Sequence, residues 1–125
     1  MADIFKKREL KVDMEYKETV IAFFYAIMSL WQGILAYGIW SPLKEEVIFR
    51  GIIYRLFRKY LPIMAAVFGS ALMFGFFHGN SVQMVYGTIM GIVMALLYEK
   101  YQTLIAPILF HGAANTAIYI VTYFF

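Results

Sequence analysis

Four long stretches without a charged side chain, residues 20–40, 61–77, 81–98 and 101–125, dominate this sequence. A helix needs about 20 apolar residues, with a range of about 17–25, to cross the hydrocarbon core of a bilayer. Each stretch is therefore long enough, or nearly so, to cross a membrane. Because lipid offers no hydrogen-bond partner to the backbone, segments that cross it must be helical. The chain is predicted to be an all-α membrane protein.

The composition supports the same class of protein. Hydrophobic residues make up 62% of the 125 residues, and charged residues make up 15%, against roughly 25% in a soluble domain. The net charge of +3 is explained by Lys and Arg at the membrane-facing ends of helices, so we predict no nucleic-acid partner. The chain has no cysteine, which excludes disulfide and thiol chemistry.

Residues 42–60 differ from the four uncharged stretches because they carry charged side chains among the apolar ones. Ser41-Pro42 has the pattern of a helix start, a capping hydroxyl followed by proline at the first helical position. The segment is long enough to span at about 1.5 Å per residue, but it is too charged to face lipid. We therefore expect a polytopic bundle of about five helices, in which this helix lines an intramembrane polar cavity.

The first 19 residues are expected to be a mixed-charge tail or surface helix that precedes a membrane core over residues 20–125. They carry five basic and five acidic side chains. A secretory signal would have a short basic start and then an apolar run, so we expect the segment to be retained.

The distribution of basic residues predicts an orientation in the membrane. With the amino terminus inside, the inner side holds the basic residues of the tail together with Arg55, Arg58, Lys59 and Lys100, and the outer side holds only Lys44. This orientation places Glu45 and His78 toward the outside. Gly87 and Gly91, four residues apart, also predict a helix-packing seam.

Ionisable and strongly polar side chains within these helices are rare and are usually functional. In this chain they are Glu45, Glu46, Arg50, His78, His111 and Asn115. Each has a structural explanation when taken singly. Glu46 and Arg50 are spaced as an ion pair, His78 lies at a helix end, and His111 with Asn115 could hydrogen-bond across helices. Together they indicate a site, because structural contacts would need neither a further carboxylate, Glu45, nor both histidines.

Two kinds of hydrolytic chemistry fit this set of side chains. A carboxylate and a histidine can hold a water and remove its proton, while a second histidine and an amide donate hydrogen bonds to an oxyanion. Alternatively, Glu45, His78 and His111 could bind Zn²⁺ with one open position. A proton pathway is a third use of buried Glu and His. The residues alone leave these alternatives open.

Three short motifs resemble a known family. Glu45-Glu46-x-x-x-Arg50, Phe74-x-x-x-His78 and His111-x-x-x-Asn115 occur in this order on successive helices. They are similar to the CPBP intramembrane proteases, also called the CAAX-protease and bacteriocin-processing (Abi) family, which includes the type II CAAX prenyl endopeptidases. The resemblance covers residues 41–120.

The resemblance implies a role for each motif residue. Glu45 matches the glutamate that activates the hydrolytic water, and His78 matches the histidine that shares it. His111 and Asn115 match the pair that forms the oxyanion hole.

The resemblance also bears on the supporting residues and the cofactor. Glu46 and Arg50 match positions that orient the site through an ion pair. The family is described both as metalloproteases and as metal-independent glutamate proteases. We favour the second description, with no cofactor, and keep zinc as the alternative.

The function expected from the residues and the resemblance is that of an intramembrane endopeptidase in the plasma membrane of a prokaryote. Its substrate would be a peptide, a leader or the tail of a membrane protein. A bundle this small leaves room for a homo-oligomer or a partner subunit that completes the cavity. The alternative function is a non-cleaving, peptide-binding or bacteriocin-immunity protein with the same polar pocket.

Overall fold

The computed structural model describes residues 2–125, and these divide into two compact units at Gly33 and Ile34. The first unit is one helix, α1 (Ala2–Gly33), which includes the predicted tail and the start of the first uncharged stretch. Its polar part carries spaced ion pairs such as Lys17 with Asp13, at 2.7 Å. Its apolar part exposes large side chains, including Phe23 and Trp31. Exposed apolar side chains on a long helix suit contact with lipid.

The second unit consists of four helices. They are α2 (residues 34–60), α3 (Ile63–Phe76), α4 (Ser81–Tyr101) and α5 (Ile105–Phe124). Residues 2–125 contain no strand. Three helical segments, within Asp3–Tyr60, Ser81–Tyr101 and Ile105–Phe124, are long and apolar enough to cross a membrane, and α3 is a shorter apolar helix. The predicted all-α membrane bundle is confirmed.

Helix α2 continues through Ser41-Pro42, where the sequence predicts a helix start. Trp40, the residue before Ser41, has helical dihedrals, with φ −69° and ψ −44°, and no side chain caps the backbone here. The hydroxyl of Ser41 donates to the carboxylate of Glu45 instead. The predicted start is therefore wrong. The orientation in the membrane was predicted by placing Lys44 in a loop on the outer side. Lys44 lies within a helix instead, so this basis for the orientation is absent.

The backbone of α2 accommodates Pro42 by changing its hydrogen-bond register. Residues 34–40 and 47–54 are π-helical, and Ser41–Glu46 and Arg55–Tyr60 are α-helical. Proline inside an α-helix lacks an N–H, and its ring clashes with the carbonyl four residues earlier. The wider π register, in which bonds run between residues five apart, ends just before Pro42. A residue that normally stops a helix is thus kept inside one.

The turns that join the other helices have clear local causes. Pro62 is extended, with φ −63° and ψ 159°, and immediately precedes α3. Between α3 and α4, Gly79 has a φ of +77°, a conformation that glycine adopts without strain. Asn80 then caps α4, because its side-chain oxygen accepts the N–H of Gln83 at 2.9 Å. These turns return the chain so that α3 and α4 lie side by side.

Small residues let α3 and α4 pack closely. A Cβ placed on Gly91 would lie 2.9 Å from the Cα of Ala71 and 3.0 Å from its Cβ. A Cβ on Gly87 would lie 3.3 Å from the Cα of Gly75. The sequence spacing of Gly87 and Gly91 therefore corresponds to a packing seam, as predicted. Because van der Waals contact contributes much of the association of membrane helices, this seam holds two helices that line the site.

Replacing Gly91 with alanine is expected to destabilise the protein. The added methyl group would overlap the backbone of Ala71, and overpacking of this kind typically costs about 1–3 kcal/mol. We expect the apparent midpoint of thermal unfolding, measured on the full chain in detergent, to fall by several degrees.

Gly51→Ala is the matched control, since it makes the same substitution within a helix. A Cβ there would meet Leu104 at 3.5 Å, an ordinary contact. This variant is expected to unfold at or slightly above the wild-type temperature, because alanine favours a helix over glycine by about 1 kcal/mol. Equal behaviour of the two variants would contradict the close α3–α4 seam.

Candidate active site

A cavity of about 610 Å³ lies among the helices of the second unit. Its lining includes Glu45, His78, His111 and Asn115, the four residues predicted to be catalytic. They come from α2, from the turn that follows α3, and from α5. The remaining wall is largely apolar or aromatic and includes Phe74, Val82, Tyr86, Met90, Ile118 and Tyr119. The structure therefore brings the separated motifs to one cavity.

Glu46 and Arg50 form a fully buried ion pair beside this cavity. The Nη1 atom of Arg50 donates to Oε1 of Glu46 at 2.9 Å, and both side chains have no exposed surface. Removing two such charges from water costs several kcal/mol per ion, which their attraction offsets only when further contacts are good. The predicted supporting pair is present, and its burial requires additional partners.

Arg50 obtains these partners from two other helices. Its Nη2 atom donates to the carbonyl of Gly91 on α4 at 3.0 Å. The guanidinium also lies over the ring of Phe74 on α3, 4.6 Å from the centroid, a favourable cation–π geometry. Among residues 2–125, Arg50 Nε and Glu46 Oε2 have no hydrogen-bond partner. The pair is therefore only partly satisfied, and loss of a further contact would be costly.

His111 links this ion pair to Glu45. Its Nδ1 atom lies 2.9 Å from Oε1 of Glu46, and its Nε2 atom lies 3.6 Å from Oε2 of Glu45. An ionised carboxylate can only accept hydrogen bonds, so His111 donates to Glu46 from Nδ1. The Nε2 atom is then an acceptor in the neutral ring and a donor only in the imidazolium. Glu46 thus determines whether Nε2 of His111 accepts or donates a hydrogen bond in the cavity.

Glu45 holds one carboxylate oxygen in a hydrogen bond and leaves the other free. The Ser41 hydroxyl, one turn earlier on α2, donates to Oε1. Oε2 is buried and has no hydrogen-bond partner among the described residues. A buried acceptor with unused capacity is uncommon and calls for an explanation, such as a catalytic role. Glu45 therefore presents one oriented, uncommitted oxygen to the site.

His78 lies in the turn that follows α3 and is held in place by the backbone of the last turn of that helix. Its Nδ1 atom lies 2.8 Å from the carbonyl oxygen of Phe74, so Nδ1 carries the proton and Nε2 has a lone pair. The ring also packs edge-on against Phe74, with centroids 4.8 Å apart. A Cβ on Gly87 would lie 3.2 Å from Nδ1. The glycine seam therefore makes room for this histidine as well.

Asn115 is held by a backbone carbonyl that the irregular helix leaves free. Its Nδ2 atom donates to the carbonyl oxygen of Tyr37 at 3.1 Å. In the π register that carbonyl would accept the N–H of residue 42, which is proline and has none. Asn115 thus satisfies the carbonyl that Pro42 cannot, and it keeps a second N–H for another acceptor.

The arrangement gives no support to the predicted zinc alternative. Among residues 2–125, no three His, Asp or Glu side chains are grouped so that they could hold a metal ion. His111 Nε2 faces Glu45, while Nδ1 of His78 contacts the backbone carbonyl of Phe74. We therefore derive no catalytic step through a metal.

Several contacts of the site were not foreseen from the sequence. The spacing of Ser41 and Glu45, four residues apart on one helix, was an available signal for their hydrogen bond. The missing N–H of Pro42 could have pointed to a free carbonyl on the preceding turn. The bond between Glu46 and His111 joins residues 65 positions apart, and no local pattern indicates it.

The comparisons with known proteins agree with the motifs. The family described as "Type II CAAX prenyl endopeptidase Rce1-like" matches residues 21–117. A protein of Bacillus subtilis (strain 168) named "Putative membrane peptidase YdiL" is 31% identical over 87 residues, which cover 70% of this chain and 36% of that protein. The matched region thus spans about a third of that relative. No solved structure matches this chain.

The chain belongs to the Rce1-like family and is a multi-pass membrane protein. The predicted resemblance to the CPBP proteases and the type II CAAX prenyl endopeptidases is confirmed. The catalytic roles predicted for individual residues stay predictions.

Replacing Arg50 with methionine is expected to destabilise the protein strongly. The substitution keeps much of the side-chain length but leaves the carboxylate of Glu46 buried without its cation, a loss that typically costs about 3–5 kcal/mol. The apparent unfolding midpoint of the full chain in detergent should fall accordingly.

Lys17→Met is the matched control, because Lys17 and Asp13 form an ion pair of the same order and spacing at an exposed position. Exposed pairs contribute about 0–1 kcal/mol, so this variant should unfold close to the wild type. A similar shift in both variants would contradict the importance of burial at Arg50.

Proposed function

We propose that this protein is an intramembrane endopeptidase that hydrolyses a peptide bond with a water activated by Glu45 and His78. The observation that carries the proposal is the uncommitted Oε2 of Glu45, in a cavity shared with both histidines and Asn115. Membership of a family described by its endopeptidases and similarity to a protein named as a membrane peptidase support the same activity. Cleavage would take place within the membrane, in a cavity that holds the hydrolytic water and keeps lipid away from it.

In the proposed first step, Oε2 of Glu45 removes a proton from water as the water oxygen attacks the peptide carbonyl carbon. The other O–H of that water keeps its hydrogen and donates a hydrogen bond to Nε2 of His78, whose Nδ1 proton is committed to Phe74. Ser41 keeps the carboxylate oriented through Oε1. A base already in position contributes typically about 10²–10⁴-fold to such a reaction.

In the second step the tetrahedral intermediate collapses and the carbon–nitrogen bond breaks. Glu45 returns its proton to the leaving nitrogen, and the products are a carboxylic acid and an amine. The second N–H of Asn115 is available to donate to the oxyanion, since its first is held by Tyr37. Donors positioned in this way stabilise developing negative charge more effectively than water does.

His111 is proposed to act on the oxyanion as an imidazolium. Its Nδ1 proton is held by Glu46, so only the protonated ring can donate from Nε2.

The chemistry of the cavity bears on the substrate. Its wall is mostly apolar and aromatic, which suits an extended peptide leader or the tail of a membrane protein. We propose a metal-independent enzyme of a prokaryotic plasma membrane, in line with its bacterial relative. A second copy or a partner subunit would complete the enclosure of the substrate.

Removal of the Ser41 hydroxyl is expected to lower kcat without abolishing activity. In Ser41→Ala, Oε1 of Glu45 loses its donor, so the carboxylate is less well oriented. We expect kcat to fall by about tenfold, corresponding to one hydrogen bond of about 1.4 kcal/mol.

Ser41→Thr is the matched variant because it retains the hydroxyl, and it should recover most of the activity. A purely structural role for Ser41 would lower the stability of Ser41→Ala but leave the kcat of the folded protein unchanged.

Glu45→Gln is expected to abolish cleavage while the protein still folds. The glutamine is nearly isosteric with glutamate but cannot remove a proton. The measurement is cleavage of a quenched-fluorescence peptide library by the purified, reconstituted chain, with a chelator in a parallel reaction. We expect wild-type cleavage to persist in the chelator, and His78→Ala to be strongly impaired.

Lys44→Gln, at the exposed neighbouring position, controls for substitution within α2 and should retain activity. Cleavage lost in the chelator would contradict the metal-independent mechanism. A folded wild-type protein that binds peptides without cleaving them would contradict the proposed function and favour the non-cleaving alternative.

A further inference from the structure

A second cavity, of about 570 Å³, lies at the carboxyl ends of α2 and α4. Its lining consists of Tyr54, Arg55, Arg58, Lys59, Tyr98, Glu99 and Gln102. None of the proposed catalytic residues contributes to it. Arg55 follows Glu45 by ten residues on the same helix, which corresponds to roughly 15 Å of helical rise. The cavity is therefore separate from the candidate active site.

The one carboxylate of this cavity is already neutralised. Arg58 contacts both oxygens of Glu99, with Nη2 at 3.1 Å from Oε1 and Nε at 3.3 Å from Oε2. The hydroxyl of Tyr54 donates to Oε2 at 2.7 Å. These bonds stabilise the ionised carboxylate and hold the pair together. Glu99 therefore has little capacity left to neutralise the other two cations, Arg55 and Lys59.

The helix ends do not account for these two cations either. Basic residues often occupy the last turn of a helix, where they offset unpaired carbonyls. Here Arg58 donates to the carbonyl of Leu61 at 3.2 Å, and Gln102 donates to the carbonyl of Glu99 at 2.6 Å. Within residues 2–125, Arg55 has no hydrogen-bond or ion-pair partner. Two carbonyls near these helix ends therefore have donors other than Arg55 and Lys59.

The cavity keeps a positive charge after these interactions are counted. Three lining cations face one lining carboxylate, which leaves two positive charges. The carboxyl ends of α2 and α4 contribute at most about half a negative charge each. Roughly one positive charge therefore remains in the cavity.

Two tyrosines indicate that this cavity lies at the membrane surface. Tyr60 and Tyr101 are the last residues of α2 and α4 and are exposed by 72% and 53%. Each lies beneath the ammonium group of the preceding lysine, with Lys59 at 5.4 Å and Lys100 at 5.1 Å from the ring centroids. Tyrosine and lysine at the end of an apolar helix are typical of the lipid headgroup region.

We propose that this cavity binds a phosphate group, held by Arg55 and Lys59, at the membrane surface. The guanidinium can donate two parallel hydrogen bonds to phosphate oxygens, and the ammonium group adds a point charge. The headgroup phosphate of an anionic phospholipid and free inorganic phosphate share this chemistry. Basic pockets between membrane helices are suited to anionic headgroups. The inference does not rest on the proposed peptidase activity.

The test measures ligand-dependent thermal stabilisation of the purified full chain in a neutral detergent. The probes are dioctanoyl phosphatidylglycerol, dioctanoyl phosphatidylcholine and inorganic phosphate. We expect saturable stabilisation by phosphatidylglycerol, little by phosphatidylcholine, and an apparent Kd for phosphatidylglycerol at least tenfold weaker in R55Q/K59Q. Stabilisation by inorganic phosphate with the same dependence on both residues would support the site and identify free phosphate as sufficient.

K6Q/K7Q is the matched control, because it removes two exposed lysines from α1, and it should respond to phosphatidylglycerol as the wild type does. The single variant R55Q, which changes one exposed side chain, serves as the second variant and should show an intermediate loss. Equal responses of all variants, or a loss in K6Q/K7Q, would show non-specific attraction and overturn the proposal. Absence of any response in the wild type would overturn it as well.

Discussion

The buried ion pair of Glu46 and Arg50 is the interaction on which the rest of this structure depends. Both charges have no exposed surface, so the protein must supply every contact that water would otherwise make. Arg50 reaches the carbonyl of Gly91 on α4 and the ring of Phe74 on α3. Glu46 accepts from His111 on α5. A single pair on α2 thus makes polar or cation–π contacts with all three other helices of its unit.

The same small residues allow the helices to pack closely and bring the polar groups of the site together. Gly91 lets α3 and α4 approach closely, and its carbonyl accepts from Arg50. Gly87, on the same seam, leaves space for the ring of His78. On the other side, a Cβ on Gly112 of α5 would collide with the carbonyl of Gly38 on α2. Small residues therefore bring both the backbones and the polar side chains within reach of each other.

The irregular register of α2 positions functional groups that a regular α-helix would not. Segments of π-helix are rare in proteins, and those that do occur often lie at functional sites. Here the π-helical residues 34–40 end next to Pro42, and the free carbonyl of Tyr37 holds Asn115. The following α-helical turn, Ser41–Glu46, carries the hydroxyl that orients Glu45. A local departure from helical geometry thus connects α2 with the amide of α5.

The sequence by itself determined the class of fold, the family, and which residues line the candidate site. Long uncharged stretches require helices in lipid, and the few buried polar residues, at helical spacing, identify Glu45, His78, His111 and Asn115 as cavity residues. Only the tertiary structure decided which of their atoms meet. Ser41-Pro42 lies inside a helix, Glu46 takes the Nδ1 proton of His111, and Arg58 pairs with Glu99. The physical reason is that spacing specifies neighbours along one helix, whereas contacts between helices depend on the rotation and register that close packing imposes on each helix.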